Sequence, residues 1–149
     1  MMIFAVERWS VVESEIVPFF KPLAKESGII TDRENVSLET YRGCSKAEGL
    51  LLVTARENGD LVGFIVSFIA AHPHWKDVRM AMTDMIYLDP SARKGRNFLR
   101  MLDFCKAQVK LRGASYFLAS LPVKRDHGKI LERAGWKEWE RIYVSNLED

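Results

Sequence analysis

No stretch of this sequence is apolar over the roughly 20 residues that a membrane-spanning helix needs, so no membrane partner is expected. Cysteine is scarce. The two residues, Cys44 and Cys105, form no CxxC pair and no disulfide framework, and Cys105 falls inside an apolar helical stripe, where it reads as a small core residue. A metal-site spacing is also missing: His72 and His74 flank Pro73 with no third ligand at a recognisable distance, which makes them ordinary loop histidines. Charge of one sign is not in excess either. The 22 basic and 20 acidic residues leave a net +2, short of the segregated basic surplus of nucleic-acid and membrane-surface binders. The opening residues carry Glu7 and Arg8 among apolar neighbours and lack a signal-peptide layout. Repeats and low-complexity tracts are absent as well. A soluble protein of the reducing cytoplasm is expected, with no metal and no nucleic-acid partner.

What is present suits a single domain over residues 1–149, 48% hydrophobic and 28% charged, long enough to bury a real core. Met2 to Val6 is an apolar run fit for a strand. Ser10 and Glu13 have capping-box spacing, and the helix-like segment after them is interrupted by Pro18 and Pro22, which predicts a kink or two short helices. Gly28 is the expected stop. A polar helix follows over about 36–46. Residues 50–56 and 61–70 read as strands around Asn58-Gly59-Asp60, a strong hairpin signal. His72 to Trp75 is a loop, 78–88 a strand stopped by Pro90, and 91–96 a basic turn.

From Asn97 the period becomes helical, with Phe98, Met101, Leu102, Cys105 and Val109 on one face. Arg112-Gly113 closes that helix. Residues 116–121 are a further strand and about 126–134 a short helix ending at Gly135. Residues 136–144 are expected to supply one or two closing strands. The whole is an α/β fold: a mixed sheet of six to seven strands with helices on both faces.

The informative stretch is strand, Pro90, basic turn, helix. A helix N-terminus presents unpaired amides and a positive dipole end, a seat for phosphate. Arg93, Lys94 and Arg96 add charge there, and Gly95 lets the backbone approach closely. On its own such a turn is most often a solvated loop.

Thr83-Asp84-Met85-Ile86-Tyr87-Leu88-Asp89-Pro90 followed by Ser91-Ala92-Arg93-Lys94-Gly95-Arg96-Asn97-Phe98 resembles the signature of the GCN5-related N-acetyltransferases, the GNAT family. Ile130-Leu131-Glu132-Arg133-Ala134-Gly135-Trp136 is similar to the family's closing element, and the hairpin from Asn58 to Phe64 to its second and third strands. The compact length suggests the small members found in bacteria and their phages.

The resemblance implies a sheet splayed at the cofactor site. Backbone groups of Ile86 and Leu88 would pair with the pantetheine arm of acetyl-CoA, the cosubstrate. Arg93, Lys94, Gly95, Arg96, Asn97 and Phe98 would hold the pyrophosphate. It also implies Asp84 as the base that takes the proton of an ammonium substrate, because a protonated amine has no lone pair for attack. The bland alternative for Asp84 is a structural carboxylate. A strand amide near Met85 or Ile86 would steady the developing oxyanion. No metal is implied.

Departures from the family pattern are visible. Gly95 stands one residue early, and Arg96 and Phe98 occupy the motif's two small positions. Leu131 stands where many members carry a tyrosine acid, with Tyr143, Tyr116 and His127 as substitutes. The implied partner is an amine, and Glu34, Glu39 and Glu48 hint at a cationic one. A homodimer through the last strands would be in keeping with the family. The competing reading is a CoA-binding protein of the same fold that acts through a protein partner without turnover.

Overall fold

The computed structural model describes residues 1–27, 36–125 and 127–148. The long apolar runs at mid-chain make the centre of one five-stranded sheet, in the order β1 (Met2–Val6), β2 (Leu50–Glu57), β3 (Asp60–Ala71), β4 (Arg79–Leu88), β5 (Tyr116–Leu118). The first four strands are antiparallel neighbours, and β5 runs parallel to β4. Asn58 and Gly59 join β2 to β3 with φ of 52° and 88°, the two positive values that the twist-matched hairpin turn requires. A parallel neighbour needs a crossover, and α4 (Asn97–Leu111) supplies it between β4 and β5.

Two helical layers cover the sheet. On one face lie α1 (Trp9–Ile16), a 3-10 turn at Val17–Phe19, α2 (Phe20–Ser27) and α3 (Leu38–Lys46). Trp9, Val12 and Ile16 pack there against Leu52, Phe64, Val66, Met85 and Tyr87. On the other face Met101, Leu102, Cys105 and Val109 of α4, with Leu131 of α5 (Gly128–Arg133), cover Leu51, Val53, Ile65, Ala81 and Leu88. Both faces of the central strands are therefore buried, which is why they read as near-continuous apolar runs rather than alternations. Pro18 divides the first helical segment as expected, and Gly113 and Gly135, at φ of 83° and 90°, follow the ends of α4 and α5.

Three expectations are corrected. The capping box does not form: α1 begins at Trp9 with Arg8 as its cap residue and no side-chain cap. Glu13 instead accepts from the Trp9 indole (2.9 Å) and from Arg42 of α3 (both 2.8 Å), linking two helices rather than closing one. The strand expected over 116–121 ends at Leu118, because the Ser120 amide turns to the Thr83 hydroxyl at 2.9 Å instead of continuing the ladder. The closing strands expected over 136–144 are absent among the described residues, so the sheet has five strands and not six or seven. A three-residue β5 offers a further strand little to pair with, and Trp139, Ile142, Tyr143 and Val144 remain 65–84% exposed. Gly28, Glu34 and Asp126, for which the sequence raised expectations, lie outside the described residues.

Candidate functional site

The local chemistry starts with an irregularity in β4. Val66 pairs with Met85 but the next residue, Ser67, pairs with Thr83, leaving Asp84 as the extra residue of a β-bulge. A bulge re-aims the side chains around it. Before it, Ala81 faces the α4 layer; after it, Ile86 and Leu88 do so, while Met85 and Tyr87 join the opposite cluster. Asp84 and Met85, though consecutive, both turn to the α1–α3 side. Asp84 keeps the face that alternation from Ala81 gives it, and the phase change brings Met85 round to the same side.

There Tyr41 of α3 donates to Oδ2 of Asp84 at 2.6 Å. The Tyr41 ring is stacked between Trp9 (centroids 4.8 Å apart) and Phe68 (5.9 Å), which fixes its direction. Burial, reinforced by the Asp84 carboxylate, pushes the Tyr41 hydroxyl well above its ordinary pKa of 10.0, so it stays protonated and serves as a donor. Oδ1 of Asp84 has no partner among the described residues. Sequence reasoning passed over Tyr41. The available signal was its place with Leu38 and Cys44 on the core stripe of the helix, where a tyrosine hydroxyl has to find an acceptor.

At the same bulge the sheet opens. β4 and β5 pair from Met80–Tyr116 to Met82–Leu118, Thr83 catches Ser120, and beyond this the β5 side of residues 84–88 has no strand partner among the described residues. Ile86 and Leu88 thus line a splay whose upper end is the turn after Pro90. The Leu88 carbonyl there already accepts from Arg93 Nε at 2.6 Å.

Asp89 accepts from the Ser91 amide and hydroxyl, closing the turn (2.9 and 2.6 Å); these bonds hold its carboxyl below the ordinary value of 3.8. Asn97 ties back to the Ala92 carbonyl at 3.0 Å. Past it the amides of Gly95, Arg96, Phe98 and Leu99 find no backbone acceptor among the described residues. Gly95 adopts φ of 55° with open space around it. Phe98 does not crowd this cradle; its ring packs into the core beside His127, 5.5 Å away. Free amides, an unobstructed glycine and a parallel-strand cleft below them fit a pyrophosphate with an extended arm.

The three cations of the turn are not equivalent. Arg93 reaches Glu26 of α2 through Nη2 (2.8 and 3.0 Å) and lies over the Tyr87 ring. Lys94 and Arg96 are exposed. Helix α2 also packs against the 3-10 turn Val123–Arg125 that follows β5, so it straddles the top of the splay.

The other candidates lie elsewhere. Tyr143 is 84% exposed on the C-terminal segment, where it interacts with Arg141. Tyr116 begins β5, below the splay, beside an open groove of about 530 Å³ under α4. His72 Nδ1 accepts from the amides of His74 and Trp75 (3.0 and 3.3 Å), an ordinary loop role. Among the described residues no three potential metal ligands come together, and no helix is long and apolar enough to cross a membrane.

No protein-family model matches the sequence, and no curated protein matches it. Solved structures do. The chain is similar to the ribosomal-protein-alanine N-acetyltransferase of Brucella melitensis biovar Abortus 2308, at 19% identity and TM-score 0.71, covering 99% of this chain and 100% of that one. It is similar to a predicted acetyltransferase of Clostridium acetobutylicum solved with acetyl-CoA, at 16% identity and TM-score 0.75, covering 99% and 97%. It is also similar to an aminoglycoside acetyltransferase from an uncultured soil metagenomic sample in complex with sisomicin, at 8% identity and TM-score 0.76, again covering 99% and 97%. At these identities the likeness establishes the fold, which is that of the GNAT acetyltransferases.

Proposed function

We propose that this protein is an N-acetyltransferase that uses acetyl-CoA to acetylate a primary amine by direct attack in a ternary complex. The observation that carries the reading is the bulge. It sets Asp84, with one carboxylate oxygen held and the other open, at the point where the sheet splays beneath a turn of free amides. Bound there, acetyl-CoA supplies the activated acyl carbon. The amides of Gly95, Arg96, Phe98 and Leu99, with the exposed Lys94 and Arg96 side chains, hold the phosphates. Backbone groups of Ile86 and Leu88 orient the pantetheine arm, and an amide near Met85 or Ile86 faces the charge that develops on the acyl oxygen.

Asp84 takes the ammonium proton and leaves nitrogen with its lone pair. An exposed carboxylate in the acceptor's path also favours a cationic amine. The soil-sample acetyltransferase with sisomicin has the same fold, which puts aminoglycosides, polyamines and lysine side chains first for trial. Leu131 carries no hydroxyl, so the leaving thiolate is protonated by solvent or by Tyr143 on closure of the C-terminal segment. That segment carries exposed Trp139, Ile142, Val144 and Leu147 next to the short outer edge of β5, and we propose that two copies cover these surfaces in a homodimer, which light scattering on the purified protein reads directly.

The deciding experiment is calorimetric titration with acetyl-CoA and CoA, followed by turnover on an amine panel with wild type, Asp84→Asn and Tyr143→Phe. Micromolar binding and turnover that falls about 10²–10⁴-fold in Asp84→Asn supports the enzyme. A tenfold loss in Tyr143→Phe marks the tyrosine as the acid, and an unchanged rate leaves that proton to solvent. Binding without turnover supports the alternative of a CoA-binding module, and no binding overturns both.

A further inference from the structure

We infer that Tyr41 is a positioning residue for acetyl transfer: by holding Oδ2 of Asp84 it leaves Oδ1 as the oxygen that receives the substrate proton. The inference rests on the reading of Asp84 as the base. A bulge residue is free of one register constraint, and an exposed aspartate on it would sample several rotamers. Here a 2.6 Å bond from a ring stacked on both faces removes that freedom. The ring is anchored in turn, because its neighbour Trp9 is 1% exposed and bonded to Glu13, which Arg42 holds from Tyr41's own helix.

The chemistry selects the direction of the bond. A hydroxyl held protonated can only donate to a carboxylate, so the Tyr41 proton is spoken for and does not compete with the substrate's. In the step itself one N–H bond of the ammonium breaks, its proton forms the O–H bond on Oδ1, and the electron pair stays on nitrogen. The carboxyl becomes neutral while Oδ2 keeps its bond from Tyr41. Besides Asp84, the titratable neighbour of Tyr41 is Cys44, on the same helix. The placement also separates roles across the sheet. Tyr41 reaches the site from the α1–α3 face, whereas the amide cradle is built by β4 and α4.

A double-mutant cycle tests this, with Tyr41→Phe, Asp84→Asn and the pair assayed against spermidine, sisomicin and a lysine peptide. Tyr41→Phe keeps the stacked ring and loses only the hydroxyl. We expect its kcat to fall about 10-fold, with acetyl-CoA affinity within about twofold of wild type as the report on folding. In the double variant the loss should equal that of Asp84→Asn alone, because the hydroxyl acts only through that carboxylate. Losses that multiply mean a structural role and overturn the inference, as does an unimpaired Tyr41→Phe beside an impaired Asp84→Asn. An unimpaired Asp84→Asn overturns the base assignment itself. Absence of turnover with all three amines counts against the transferase reading and this inference with it.

Discussion

Arg93 is the basic residue that the motif would place first on the phosphates, and its surroundings predict a different behaviour. Its guanidinium is committed to the Leu88 carbonyl at 2.6 Å and to both oxygens of Glu26 at 2.8 and 3.0 Å. The two side chains are 27% and 25% exposed, so the pair is partly screened. Hydrogen bonds to charged groups contribute about 1.5–3 kcal/mol each when well buried, and exposed pairs about 0–1 kcal/mol. Arg93→Ala should therefore cost about 2 kcal/mol of stability, lowering Tm by roughly 4–8 °C at this chain length. Its effect on CoA binding should stay within about threefold, because its charge is already neutralised. Arg96 is exposed with no such pair among the described residues, and Arg96→Ala should weaken CoA about fivefold, a loss that shrinks as salt is raised. Glu26→Ala frees a guanidinium next to the cradle, so CoA should bind about two- to fivefold tighter while stability falls. Calorimetry and thermal melts on these variants decide the matter. An Arg93→Ala that loses more CoA affinity than Arg96→Ala with an unchanged Tm would refute the reasoning.

Three further outcomes follow from particular contacts. A Cβ at Gly63 would stand 2.8 Å from the Tyr87 carbonyl and from the Leu88 side chain; the carbonyl cannot yield, so Gly63→Ala should cost about 1–3 kcal/mol, read as a lower urea midpoint. Burial pushes the Cys105 thiol up to about 12, against a lowering bond from Ser67, so a thiol reagent at pH 8 should modify partly exposed Cys44 and reach Cys105 only in denaturant. The Arg56 guanidinium, with the Thr54 hydroxyl, holds Glu7 below its ordinary 4.5 against the opposing effect of burial. A carboxylate depressed on folding contributes stability above its unfolded value, lost as pH falls through the folded one, so the urea midpoint should be flat from pH 7 to about 5 and drop below it, less steeply in Glu7→Gln.

Most of the architecture was legible because it depends on short-range physics. The hairpin at Asn58-Gly59, the break at Pro18 and the apolar stripe of α4 each follow from the residues at those positions. What escaped depends on partners distant in sequence. Glu13 has the spacing of a cap, yet a tryptophan four residues back and an arginine 29 residues on take its oxygens. Residues 136–144 have the composition of a strand, but strand formation needs a neighbour, and β5 stops after three residues when Ser120 turns to Thr83. The bulge was equally hidden, since nothing in Thr83-Asp84-Met85 marks which residue the opposite strand will skip.

The same distinction governs the candidate site. Asp84 and Arg93 both stood out by motif, and tertiary partners divide them. Tyr41 holds one oxygen of Asp84 and leaves the other open, the arrangement that the proposed proton transfer needs. Glu26 fills the guanidinium of Arg93 and makes it a clasp between α2 and the end of β4. Because α2 also touches the turn after β5, this clasp closes the helix over the mouth of the splay, and a phosphate competing for Arg93 would loosen it. On the proposed function, entry of acetyl-CoA would be coupled to the position of α2, which is why the most informative variant on this surface is the removal of an acid, Glu26, and not of any of the basic residues that first drew attention to it.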